Sequence, residues 1–228
     1  MSPGKLVIAI DGPAASGKST TARLVAGKLG YMHVDTGAMY RAVTLKVLRG
    51  GVAPADSGRI SELLGSTHVA LRREGDTTRV LLDGEDVTAE IRTPEVTRAV
   101  SVVSRHRAVR DAMVREQRRM GAEGGIVLEG RDIGTVVFPD ADLKFFMIAG
   151  IEARARRRGE ELRAGGISPD LDGLADEIRE RDTLDSTRKE SPLKKADDAI
   201  EIDTSDLTIE EQVRVVVEKV RSVMEGRA

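Results

Sequence analysis

Cysteine and tryptophan are both absent from the 228 residues, and the aromatics amount to two tyrosines and three phenylalanines. Without cysteine there are no disulfides and no thiolate metal centres. With so few aromatic rings, a stacking platform for single-stranded nucleic acid is not expected, and the core has to come from Val, Leu, Ile and Ala. Long apolar runs are missing too: Leu6–Ile10 is too short for a signal-peptide core or a membrane span. Nor is there an excess of either charge. The balance of 36 Lys+Arg against 38 Asp+Glu gives −2, so no overall basic field points to nucleic acid. His33, His68 and His106 lie scattered, without ligand spacing. These absences argue against a membrane or nucleic-acid partner; a cytoplasmic location and a monomer are further expectations.

The residues that are present are more specific. Gly12-Pro13-Ala14-Ala15-Ser16-Gly17-Lys18-Ser19 fits the phosphate-binding pattern G-x-x-x-x-G-K-[ST] without a mismatch. It follows the apolar run Leu6–Ile10 and precedes a stretch from Thr20 that reads as a helix, the context that the pattern requires. Its glycines permit backbone conformations in which successive amides wrap a phosphate oxygen, and the helix adds its positive end. Lys18 is expected to reach the β- and γ-phosphates and Ser19 to sit on Mg²⁺. The reactant this implies is a nucleoside triphosphate.

Along the chain, short apolar strands alternate with longer helical stretches, the pattern of a parallel sheet covered on both faces. Strands are expected at Leu6–Ile10, Tyr31–Val34, Ile126–Leu128, Leu143–Ile148 and Ala199–Ile202. Helices are expected near 17–29, 38–49, 94–104, 107–121, 151–164, 171–189 and 208–224, the last with Thr208 as N-cap. Two segments break the alternation. Residues 67–88 carry turn chemistry at Gly75-Asp76 and Asp83-Gly84 between short apolar runs, which predicts a small antiparallel insert. Residues 150–190 are almost wholly charged, with Gly165-Gly166 and Pro169 between two helices, and read either as a moving lid or as a solvated hairpin.

Further motifs fall where ligands gather in an open parallel sheet, at the carboxyl ends of strands. Asp35-Thr36-Gly-Ala-Met-Tyr-Arg41 follows the second strand, so Thr36 and Arg41 are candidates for a second anion; a capped helix with one surface arginine would look the same. Ile126-Val-Leu-Glu129 ends a buried strand in an acid, which places Glu129 near the Mg²⁺, and Arg131-Asp132 follow in the next loop. Arg154, Arg157 and Arg158 share a helical face, suited either to charge stabilisation during phosphoryl transfer or to solvent. Arg181, Asp185 and Arg188, at i, i+4 and i+7, read from their spacing alone as an intrahelical salt-bridge ladder.

Taken together, these segments resemble bacterial-type cytidylate kinases over nearly the full length. The resemblance is carried by Ile10-Asp11-Gly12-Pro13, Asp35–Arg41, Leu82-Asp-Gly-Glu-Asp-Val-Thr88, Gly130-Arg-Asp-Ile-Gly-Thr-Val-Val-Phe-Pro-Asp140 and Arg181…Asp185…Arg188. It implies an α/β fold of the nucleoside monophosphate kinase type: a five-stranded parallel sheet flanked by helices, with an antiparallel insert and a short helical lid. The single domain would comprise a core (about 1–35, 107–150 and 190–228), an acceptor-binding region (about 36–106), a lid (about 151–170) and an acceptor-contacting helix (about 171–189). The implied reaction moves the ATP γ-phosphoryl group to CMP or dCMP with Mg²⁺. ATP would be held by Gly12 to Thr20, and the metal by Ser19 and Glu129. The resemblance further implies that Arg41, Arg131 and Arg188 hold the acceptor phosphate, Arg181 and Asp185 its sugar, and Ser101, Arg110 and Asp132 the cytosine. Lys18, Arg131, Asp132, Arg154, Arg157 and Arg158 are the expected catalytic set. It also overrides the ladder reading of 181–188. Family members often carry Ser where Thr36 stands, a change that keeps the hydroxyl.

Three other readings compete. A kinase of the same core acting on UMP, AMP or a non-nucleotide acceptor is the nearest. A GTP switch would carry [NT]-K-x-D, and Lys194-Lys-Ala-Asp197 is wrong at its first position. A regulatory ATPase or nucleic-acid remodeller would need the basic grooves or stacking aromatics that this chain lacks.

Overall fold

The computed structural model describes residues 5–226 except 76, 165, 167 and 169. The turn at Asp76, and Gly165 and Pro169 of the expected hairpin, lie outside the described residues. Five strands form one sheet, in the order β2 (Met32–Asp35), β6 (Ile126–Gly130), β1 (Val7–Asp11), β7 (Leu143–Ile148), β8 (Ile200–Asp203). Three form a second, in the order β3 (Val69–Glu74), β4 (Thr77–Leu82), β5 (Glu85–Asp86). The expected α/β architecture, with its small antiparallel insert, is what the chain adopts. The chain divides into two compact units, one running to Tyr31 and resuming at Gly124, the other spanning Met32–Glu123.

In the first unit β1 (Val7–Asp11) is central, pairing in parallel with β6 (Ile126–Gly130) and β7 (Leu143–Ile148); β8 (Ile200–Asp203) adds to β7. β6 is buried along its whole length and β1 at all but its first residue, as strands covered on both faces must be. Against them pack α1 (Lys18–Leu29) and α8 (Ile209–Glu225), which share one core of Ile8, Ile10, Val25, Phe145, Val213 and Val217, among others. The scarcity of aromatics shows here: among the described residues Phe145 is the one buried aromatic of that core, with Tyr31 packed against it, and aliphatics supply most of the rest. α8 opens with the expected Thr208 cap, closed into a capping box by Glu211. The charged region forms α6 (Ile151–Ala164) and α7 (Leu171–Thr187), which pack on each other.

The second unit holds β2 (Met32–Asp35) and α2 (Thr36–Arg49), then α3 (Ser57–Leu64). The insert follows: β3 (Val69–Glu74), β4 (Thr77–Leu82) and β5 (Glu85–Asp86), with Val69 opposite Leu82. Asp83 and Gly84 both take positive φ, 51° and 91°, as a two-residue primed hairpin turn requires. α4 (Pro94–Val103) and α5 (Arg107–Gly121) complete the unit.

Where bounds differ from the sequence reading, local chemistry explains it. α2 begins two residues early because the Asp35 carboxylate caps it, accepting from the Ala38 amide at 3.0 Å. α3 was not expected at all: it has eight residues, an internal Gly58 and one buried side chain, Ile60, but Asp56 caps it at the Arg59 amide.

Candidate active site

The phosphate loop joins β1 to α1. Gly12 sits at φ 156°, and a Cβ there would lie 2.2 Å from the Met147 carbonyl oxygen, so no side chain fits. Gly17 sits at φ 87°, with the Gln212 Oε1 atom 2.7 Å from where a Cβ would be. Between them Ala15 takes φ 57°, a left-handed conformation that costs a non-glycine residue roughly 1–2 kcal/mol. α1 carries no acid in its first turn and no side-chain cap, which leaves its first amides and its dipole to an anion. Lys18 is buried and donates from Nζ to the Pro13 carbonyl at 2.9 Å. The Ser16 hydroxyl, fully buried, has no hydrogen-bond partner among the described residues.

The loop is braced from behind. Gln212 of α8 accepts from Thr21 Oγ1 at 2.9 Å and donates to the Leu207 carbonyl at 3.0 Å. Thr204, just past β8, reaches the Ser16 carbonyl with its hydroxyl at 2.8 Å. Two arginines of α6 join this bracing. Arg154 donates from Nε to the Ala14 carbonyl at 2.8 Å and clasps Asp182 of α7 with both terminal nitrogens, at 2.6 and 2.8 Å. Arg157 bonds the Thr204 hydroxyl at 3.1 Å and its carbonyl, and burial draws its pKa below the usual range. Arg158 turns instead to Glu161 at 2.9 Å. Of the three arginines expected on one face, Arg154 and Arg157 thus meet the loop region, while Arg158 pairs along its own helix.

At the end of β6, Glu129 is buried and accepts from the Ser19 hydroxyl. A hydroxyl and a carboxylate oxygen in contact beside a phosphate loop are hard donors that fit Mg²⁺, whose shell is usually completed by waters and phosphate oxygens. Arg131 and Asp132 come next, and a cluster forms around them. Arg131 Nε holds Asp185 Oδ2 at 2.8 Å; Arg188 lies 3.9 Å from Asp132 and 4.0 Å from Asp185. Burial alone would push the Asp185 carboxyl up, but Arg131, Arg181 and Arg188 together hold it below the ordinary carboxylate range. The 181–188 segment is therefore not a solvent-facing ladder. Its Asp185 is gripped by an arginine 54 residues away in sequence.

In the second unit, Thr36 is buried at the first position of α2. Arg41 donates to Thr97 Oγ1 at 2.8 Å and to the Ile91 carbonyl at 3.2 Å. The Arg110 guanidinium, buried, lies 5.4 Å from the centre of the Tyr40 ring. Ser101, on α4, accepts from the Ser104 hydroxyl through its carbonyl at 3.3 Å.

A family model described as cytidylate kinase matches residues 8–222. The chain belongs to the cytidylate kinase family. Among its relatives, the cytidylate kinase of Bacillus pumilus (strain SAFR-032) is 55% identical over 207 residues, covering 91% of this chain and 92% of its own. That of Bacillus cereus (strain ATCC 10987 / NRS 248) is 49% identical over 222 residues, 97% of each. Among solved structures, a gluconokinase from Sinorhizobium meliloti 1021 aligns over 99% of this chain and 96% of its own, at 14% identity and a TM-score of 0.47.

Four residues that touch the phosphate loop, its bracing or the turn after β6 carry no role in the sequence reading: Asp11, Asp182, Thr204 and Gln212. Asp182 and Gln212 sit among charged helix residues that look alike in sequence. Asp11 alone had a readable signal, an acid at the end of a buried strand, the same signal that marked Glu129.

Proposed function

We propose that this chain transfers the γ-phosphoryl group of ATP to CMP or dCMP, giving ADP and CDP or dCDP. The observation that carries the reading is the cluster of buried Arg188, Asp185 and Asp132 with half-buried Arg131, in the same compact unit as the phosphate loop. The backbone from Gly12 to Thr20 cradles the donor phosphates, with Lys18 on the transferring end. Ser19 and Glu129 would hold Mg²⁺, which would supply positive charge to the donor phosphates. Arg131 and Arg188 take the acceptor phosphate, Arg181 and Asp185 the sugar, and Asp132 the base. In the second unit Thr36 and Arg41 are phosphate contacts, and Ser101 and Arg110 are base contacts.

The chemistry of these roles is consistent. Cytosine offers an amine donor where uracil offers a carbonyl, so the Asp132 carboxylate accepts from the first and meets the second lone pair to lone pair, a basis for strong discrimination. The acceptor oxygen is already anionic near neutrality and needs no strong base, so the part of these residues is positioning and charge stabilisation by Lys18, Arg154 and Arg157. Arg158, which pairs with Glu161 on α6, joins them only if it leaves that partner. The enzyme acts as a monomer in the cytoplasm, without nucleic acid; sedimentation at working concentration checks the first point. The decisive experiment is a coupled assay with a panel of monophosphates, ATP and Mg²⁺. CMP and dCMP should turn over far faster than UMP or AMP, and UMP turnover at or above that of CMP overturns the assignment.

A further inference from the structure

Asp11 is the last residue of β1, one step before the phosphate loop, and is buried. Its two carboxylate oxygens are both engaged, and by consecutive amides: Oδ1 accepts from Ile133 N and Oδ2 from Gly134 N, each at 2.8 Å. Those amides open the π-helical turn Ile133–Val137 that directly follows Arg131 and Asp132. The sheet register explains the reach, since Asp11 pairs across from Gly130 on β6. Neither partner of this arrangement is loose. The turn is packed so closely that a Cβ on Gly134 would lie 3.1 Å from Lys144 Cδ and 3.5 Å from Asp11 Oδ2. The charged groups beside the carboxylate are Arg131 and Asp132 on the adjoining turn and Lys144 on β7.

We infer that Asp11 is a positioning residue for the acceptor: by holding the Ile133 and Gly134 amides it fixes the backbone that aims Arg131 and Asp132, and it ties their placement to the first residue of the phosphate loop. This rests on the proposed roles of Arg131 and Asp132 in binding the acceptor. A carboxylate that only stabilised the fold would have no reason to favour one substrate over the other. One that sets the acceptor-binding turn predicts a split between CMP and ATP.

Asp11→Asn separates the two. It is isosteric, and it removes a buried charge, but its amide offers one acceptor oxygen where two are used, and its NH₂ group meets the second N–H donor to donor. For the purified full chain, KM for CMP should rise about tenfold, the loss of roughly one charge-assisted hydrogen bond, while KM for ATP stays within about twofold. If the Asn variant does not fold, Asp11→Glu keeps both oxygens but displaces them, and the same split is expected. Asp142→Ala is the control: its carboxylate accepts from Val7 N at 2.7 Å at the other end of β1, so it should lower the melting temperature without separating the two KM values. An unchanged KM for CMP in Asp11→Asn, or equal rises for CMP and ATP, overturns the inference. Asp132→Ala, run in parallel, tells the two failures apart. If it raises KM for CMP and Asp11→Asn does not, the positioning role alone is wrong. If Asp132→Ala leaves CMP unaffected, the base-binding role is wrong and the inference falls with it.

Discussion

Lys18 and the arginines are each held by a protein oxygen: Lys18 by Pro13, Arg154 by Ala14 and Asp182, Arg131 by Asp185. Such partners keep a long cationic side chain near its working position, which reduces the ordering that binding must impose. Lys18→Ala should therefore lower kcat by about a hundredfold or more, the scale of removing one fixed electrostatic donor, and leave the melting temperature nearly unchanged. A coupled assay with a thermal melt checks both. Arg188→Ala should weaken CMP on the order of tenfold or more, while binding of free cytidine, which has no phosphate, changes little. Calorimetry with the two ligands tests it; equal losses exclude a phosphate contact. Of these residues, Lys18 was legible from sequence because its neighbours in the chain define its surroundings. The grip of Arg131 on Asp185 was not, because charged residues on a polar helix look the same whether they face solvent or an arginine 54 positions away.

At the scale of elements, α6 and α7 are joined by an ion pair as well as by packing: α7 buries Leu174, Ile178 and Asp185, and Arg154 of α6 clasps its Asp182. Asp182→Ala leaves a buried guanidinium without its bidentate partner. It should cost about 2 kcal/mol, discounted because Asp182 is partly exposed, and should lower kcat through Arg154. Urea unfolding and turnover measure the two effects; loss of stability with no loss of turnover would show Arg154 to be structural. Most elements could be read from the pattern of the chain. The α-helix absent from that pattern, α3, is short and buries a single side chain, so it leaves almost no apolar period to detect, and the turn Ile133–Val137 is shorter still.

Over the whole molecule, Asp11 and Asp185 pull the pH dependence of stability in opposite directions. Burial raises the Asp11 pKa from 3.8 to about 6, against the backbone hydrogen bonds that lower it. Its contribution is fully present below pH 3.8 and is lost as pH rises through about 6, on the order of 3 kcal/mol for a shift of that size. Asp185 has a depressed pKa, so its contribution is present above the unfolded value and fades only as pH falls below it. Asp11→Asn should remove the first slope: denaturant unfolding at pH 4.5 and 7 should show wild type losing stability relative to the variant as pH rises. Parallel curves would mean that the Asp11 carboxyl titrates normally.

Sequence alone determined the donor chemistry, the alternation of strands and helices, and the antiparallel insert. Each of these depends on residues close together in the chain: a contiguous phosphate loop working through its own backbone, apolar periods, and an Asp-Gly turn. Only the tertiary structure decided which charges meet. Arg154 reaches Ala14 across 140 positions and Asp11 reaches Ile133 across 122, and such pairings follow from strand register and helix packing, which place acids and bases of identical local appearance in quite different surroundings.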